Sequence, residues 1–140
     1  MPFASPEIQA FATGFPIALL HAVICIALLI AGGATYAILT PYKDVQLIRE
    51  GNPAAALSFG GTLLALSLPL AGALAGSAST VEVALWGFSV VVVQLLLFRL
   101  SDMALKGLPQ RMQDGDVSAA ALLVGAKTAI ALLLAAAVLG

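Results

Sequence analysis

The stretch Arg49-Glu50-Gly51-Asn52-Pro53-Ala54-Ala55-Ala56 decides how this chain is read. It is echoed 64 positions later by Gln113-Asp114-Gly115-Asp116-Val117-Ser118-Ala119-Ala120. In both, a carboxylate and a glycine precede an Asn or Asp, and an alanine-rich apolar run follows. Gly51 and Gly115 suit the left-handed residue that closes a turn of helix. Asn52 and Asp116 suit the cap of the next helix, whose first N–H groups have no partner within it. Pro53 fits the first helical position, where its missing N–H costs nothing. One helix start written twice predicts a chain built from two copies of one helical hairpin.

The solvent for those hairpins follows from composition. Hydrophobic residues make up 61% of the 140 positions and charged residues 9%, against about 25% charged in ordinary globular domains. Water cannot solvate such a surface, so the expected medium is a lipid bilayer. A net charge of −1 gives no reason to expect nucleic acid. The single Cys25 cannot form an intrachain disulfide. Residues 1–15 contain Glu7 and no Lys or Arg, so a cleaved signal peptide is not expected. The expectation is one membrane domain over 1–140, all-α, with repeat 1 at about 15–76 and repeat 2 at about 80–140.

A span needs roughly 20 apolar residues, and the sequence predicts four, at about 15–39, 53–75, 81–100 and 117–139. Ser5-Pro6-Glu7 predicts a short interfacial helix before the first, with Phe3, Ile8, Phe11 and Phe15 at the lipid–water boundary. Thr40-Pro41 predicts a stop and restart, giving a short helix from Pro41 to Gly51, and Pro109 to Gly115 predicts its echo. Ser79 with Glu82 fits a capping box. Trp86 suits an aromatic belt. Val90 to Val93 would suggest a strand in water, but a lone strand in lipid leaves its backbone unpaired, so helix is expected. Gly32-Gly33-Ala34 offers a surface for close helix approach. Ala54, Ser58, Gly61 and Ala65 form a small-residue series on the second span, and Ala121, Gly125 and Ala129 repeat it on the fourth.

The Lys and Arg residues outside the spans lie in the connections 41–53 and 99–116. By the positive-inside rule both connections are expected in the cytoplasm and both termini in the periplasm. Two spans per copy return the chain to the same side, so the repeats are expected to be parallel.

Lys127 is the sharpest chemical signal. It lies eleven residues into the fourth span, about 16 Å at 1.5 Å per residue, near the middle of a ~30 Å core. A charged Lys there costs about 2.5–3.5 kcal/mol or more. Asp102 and Glu82 are expected near the membrane faces, so no carboxylate of this chain is expected at that depth. Lys127 is then expected to meet a carboxylate, a lipid phosphate or a water path from another subunit. The alternative is that it is neutral or snorkels to the cytoplasmic face. Gln94, Thr62 and Thr128 fall at similar depth, giving either a polar layer around Lys127 or isolated interhelical hydrogen bonds. His21 and Cys25 share a face at i, i+4, but two ligands are too few for a metal, and packing is expected. No phosphate loop, serine triad or carboxylate dyad is visible in accessible segments, so neither enzyme activity nor a cofactor is expected. The connections carry too few cations for polybasic lipid recognition.

Gly51-Asn52-Pro53-Ala54-Ala55-Ala56, Ser58, Gly60-Gly61, Pro69-Leu70-Ala71, Trp86-Gly87 and the second copy from Gly115 to Ala121 resemble the DUF350 family. These are small bacterial inner-membrane proteins, also called the UPF0719 or YjfL-like group. The resemblance runs roughly from Tyr36 to the C-terminus. It implies a four-helix membrane protein with no established activity, associated with envelope-stress proteins of the PspA type and with ATP-grasp enzymes of the glutathionylspermidine-synthase type. It supplies no catalytic residue, and Lys127 matches none of its motifs. The expected role is a structural or accessory subunit of an inner-membrane complex, in contact with lipid and with further copies or other membrane subunits. The alternative is a small oligomeric channel or transporter filtered by a layer of Gln94 and Lys127.

Overall fold

In hydrocarbon every backbone N–H and C=O must find its partner within the protein, and this chain meets that demand with helices. A computed structural model describes residues 5–40 and 43–140. Six helices follow in order: α1 (Pro6–Leu39), α2 (Asp44–Arg49), α3 (Pro53–Gly76), α4 (Thr80–Ala104), α5 (Leu108–Gln113) and α6 (Val117–Leu139). The described residues contain no strand. By length and composition α1, α3, α4 and α6 are able to cross a membrane, while α2 and α5 are short connections. The fold is all-α and polytopic.

The two helix starts are built alike. Gly51 and Gly115 have φ of +86° and +91°, where a side chain would be strained. The N–H of Gly51 donates to Ile48 O and that of Asn52 to Leu47 O. The N–H groups of Gly115 and Asp116 donate to Met112 O and Arg111 O in the same way. This crossed pair of bonds is the Schellman closure. Asn52 Oδ1 then accepts from Ala55 N at 3.0 Å, and Asp116 Oδ1 accepts from Ser118 N at 3.0 Å and Ala119 N at 3.3 Å. The Asn52 amide also donates to Gln113 O at 2.8 Å. That bond ties one connection to the other at the same end of the bundle. Ala54, Ala55, Met112, Ala120 and Leu123 form the buried cluster there, with Leu47, Ile48, Leu105 and Leu108 packed on it.

Several boundaries differ from those the sequence predicts. Among the described residues no separate interfacial helix precedes α1: Ser5 caps at Ile8 N and the helix runs unbroken through Pro16 to Leu39. Phe11 and Phe15 stack on its exposed side, ring centroids 4.9 Å apart. Phe3 and the restart at Pro41 lie outside the described residues. Thr40 ends α1, its N–H donating to Tyr36 O, and α2 begins only at Asp44. α4 continues about one turn beyond the expected end at Leu100. Ser79 caps α4 as expected, accepting from Glu82 N, but the Glu82 carboxylate takes the N–H of Ala78.

α3 and α6 make the closest helix pair. Ala54, Ser58 and Ala65 are buried along α3, with Gly61 half-buried. A Cβ on Gly61 would lie 2.4 Å from Val124 Cγ2. Gly32 and Gly33 of α1 are likewise buried, close to Val91 and Leu63. The small series on α6 does not lie on a seam within the bundle. Ala121, Gly125 and Ala129 are exposed, and a Cβ on Gly125 would meet nothing within 4 Å. The buried face of α6 carries Ala119, Ala120, Leu123, Lys127 and Ala131. The reason is rotational. Two residues along a helix turn the face by about 200°, so facing Lys127 inward turns Gly125 and Ala129 outward.

Candidate functional site

A lysine inside a bundle must find an acceptor for each ammonium hydrogen or lose its charge. Lys127 is 0% exposed. Its ammonium donates to the hydroxyl of Tyr36 and to Thr62 Oγ1 at 3.3 Å. It lies 3.2 Å from Asp102 Oδ1, an ion pair without hydrogen-bond geometry at that oxygen. The Tyr36 hydroxyl donates to Asp102 Oδ2 at 2.5 Å, which closes a ring of three groups. Thr62 in turn donates to Ser58 O at 2.9 Å. The aromatic walls are Tyr36, whose ring centroid is 4.4 Å from the ammonium, and Phe98 at 5.9 Å. One side chain each from α1, α3, α4 and α6 thus meets at a single charge.

This overturns the expectation that no carboxylate of the chain reaches Lys127. Two structural facts combine. α4 runs to Ala104, so Asp102 stands in its last turn and on its buried face. Side chains on a helix lean towards its N-terminus, so the four-carbon stem of Lys127 carries the ammonium from mid-span towards the connection end. The partner comes from the same chain.

Arg99 adds a half-exposed guanidinium 4.0 Å from Asp102 Oδ2. Asp44, the first residue of α2, is also buried, and neither of its carboxylate oxygens has a hydrogen-bond partner. Burial pushes its pKa up to about 6; Lys127 opposes the rise and Asp102 adds to it. The unfolded group titrates near its ordinary value of about 3.9. The folded protein therefore binds the proton more tightly, and stability falls as pH rises from about 4 through about 6.

The other sequence-selected residues are more dispersed. The Gln94 amide donates to Ala65 O at 3.0 Å, one turn along α3 from Thr62, while Gln94 Oε1 is buried without a partner. Thr128 is half-buried. His21 Nε2 lies 3.0 Å from Thr80 Oγ1, joining α1 to the start of α4. The Cys25 thiol points at Leu70 O, 3.9 Å away. Among the described residues no group of three or more His, Cys, Asp or Glu is arranged to hold a metal.

Tyr36, Asp102 and Asp44 were not selected from the sequence, because polar groups near helix ends read as interfacial. For Asp102 a signal exists: Val90, Gln94, Phe98 and Asp102 recur every four residues, and all four are buried.

Access to the cluster is from the connection end. Asp102 lines a groove of about 230 Å³ with Arg99, Met103, Lys106, Pro109 and Gln113. Asp44 lines another of about 450 Å³ with Ile38, Lys43, Gln46 and Arg49. Towards the other end the core is apolar, built on Leu66, Leu70, Val90, Val91 and Ala131.

Four apolar spans around an enclosed charge cluster define a polytopic helical membrane protein. The chain belongs to the DUF350 family, whose model, described as "Domain of Unknown Function (DUF350)", matches residues 10–138. It is 41% identical over 63 residues to the UPF0719 inner membrane protein YjfL of Escherichia coli strain K12, and equally to that of Escherichia coli O157:H7. The aligned region covers 45% of this chain and 48% of each relative, so the chain spans about half the length of the curated relatives it matches. No solved structure matches.

Proposed function

We propose that this protein is a non-enzymatic inner-membrane protein, an accessory subunit of a membrane complex, with the cluster around Lys127 as its responsive part. One observation carries the reading: a fully buried lysine is ion-paired to a buried aspartate where all four spans meet. Ionisable groups inside a membrane are costly and mark function by default. Polar openings at the connection end, against a largely apolar groove beside Cys25, Leu29 and Leu70, suit a responsive element better than a passage. The E. coli relative is named an inner membrane protein, and that location is carried over here. The link between the family and PspA-type envelope-stress proteins, implied by the resemblance, suggests the process such a subunit would serve.

Both connections lie in the cytoplasm in this reading, with both termini in the periplasm, since Lys43, Arg49, Arg99, Lys106 and Arg111 gather at one end. Reporter fusions at Met1 and Gly140 should be active only in the periplasm; cytosolic activity would reverse the orientation. The twin Schellman closures and caps, 64 positions apart, support two parallel copies of one hairpin.

The outward small face of Ala121, Gly125 and Ala129 permits close approach of a neighbouring helix. The test is the state of the protein purified in mild detergent. An oligomer or stoichiometric complex that Gly125→Leu dissociates is the expected result. A monodisperse monomer without a partner would count against the subunit role.

A second reading, a small oligomeric channel or transporter, is favoured by one detail. The unpartnered Oε1 of Gln94 extends the polar groups one turn beyond Thr62. Absence of ion flux in liposomes containing the wild-type protein would dispose of it.

A further inference from the structure

The buried charges of the cluster do not balance. Lys127 contributes one positive charge, and Asp102 and Asp44 contribute two negative charges. Asp102 is already served by the Lys127 ammonium and the Tyr36 hydroxyl. Asp44 is 2% exposed, and both of its oxygens lack a donor. Among the described residues, the charges that act on it are Lys127 and Asp102. Lys127 on α6 is committed to Tyr36, Thr62 and Asp102. Asp102 on α4 repels it, and Arg99 sits against Asp102. Lys43 and Arg49 line the same groove from beside it but are exposed. An enclosed carboxylate without a donor is held far more cheaply as the neutral acid.

We propose that Asp44 is a proton-binding site, reached through the groove beside Lys43 and Arg49, and that its occupancy docks α2 on the bundle. The step is simple in its balance: one proton from water in the groove adds to an Asp44 oxygen, and the buried charge goes from −1 to zero. No electron moves and no other bond changes. Ionised, Asp44 competes with Asp102 for the single ammonium and is drawn towards water, loosening α2. Protonated, it leaves Lys127 to Asp102 and stays buried. The inference rests on the cluster being the responsive part of the protein, and it names the ligand as a proton.

The chain has four aspartates, Asp44, Asp102, Asp114 and Asp116, so carboxyl-labelled aspartate gives a spectrum with few signals. The full-length protein in lipid nanodiscs, labelled in this way, is titrated by NMR. The expected result is one carboxyl that titrates near pH 6 and is missing from Asp44→Asn. Protection of the α2 amides, taken as exchange relative to the intrinsic rate at each pH, should rise by about tenfold or more on acidification through that pH. The proposal is overturned if no aspartate of the wild type titrates within about one unit of pH 6. It is also overturned if the titrating signal survives Asp44→Asn. The wild-type titration decides even if a variant fails to fold. If the titration is absent while the protein still purifies as a complex, the proton site falls and the subunit reading stands.

Discussion

Replacing Asp102 with Leu is expected to cost the folded bundle about 3–5 kcal/mol, the usual penalty for removing one partner of a buried pair. Two groups lose a partner together. The Lys127 ammonium loses the carboxylate 3.2 Å away, and the Tyr36 hydroxyl loses its acceptor. Neither can turn to water, because both side chains are closed off on all sides. The double variant Asp102→Leu, Lys127→Met removes both charges and should recover more than half of the loss, since a well-packed apolar pair often serves as well as a buried ionic one. The thermal midpoint in detergent, read for the two single variants and the double, gives the coupling directly. A single-variant loss of about 0–1 kcal/mol, the size seen for exposed pairs, would mean that the cluster is open to water.

The second large effect lies at Gly61. A methyl group there would stand 2.4 and 2.6 Å from the two Cγ atoms of Val124. Valine is stiff about χ1 and cannot swing aside within a helix. α3 and α6 must then separate along their closest seam. Overpacking of this kind costs about 1–3 kcal/mol, occasionally more, so Gly61→Ala should lower the midpoint clearly and Gly61→Leu should lower it further. Val124→Ala in the Gly61→Ala background should restore most of the loss. Gly60→Ala is the control: its Cβ would meet nothing within 4 Å, and little change is expected. Equal losses at the two glycines would show that the seam between α3 and α6 is not where the protein is tight.

These two sites also mark where the sequence was readable. Gly61 could be picked out because small residues recur along α3, and the seam is there. The matching series on α6 lies outside the bundle, because small residues at helical spacing suit a seam within one chain and an outward face alike. Lys127 settles the question for α6, since a charge must face inward and fixes the rotation of everything beside it. The start of α6 at Val117 and the closures at Gly51 and Gly115 were legible because each depends on a few neighbouring residues. The partner of Lys127 was not, because it depends on where α4 ends and on how far a lysine stem leans. Asp44 was the least visible of all. It sits among Lys43, Arg49 and Glu50 in a short polar segment, and only the packing of α2 on the bundle encloses it.

α1 has a consequence of its own. At 34 residues it is about 51 Å long, while the hydrocarbon slab is only ~30 Å thick. From Ser5 to Leu20 its residues are exposed, so its first turns are held in place by acyl chains and head groups rather than by protein. Such a rod leans further as the bilayer thins and stands straighter as it thickens, pivoting where His21 and Cys25 first meet the other helices. Lipid chain length therefore sets the angle of this arm, whereas the bundle below keeps its shape.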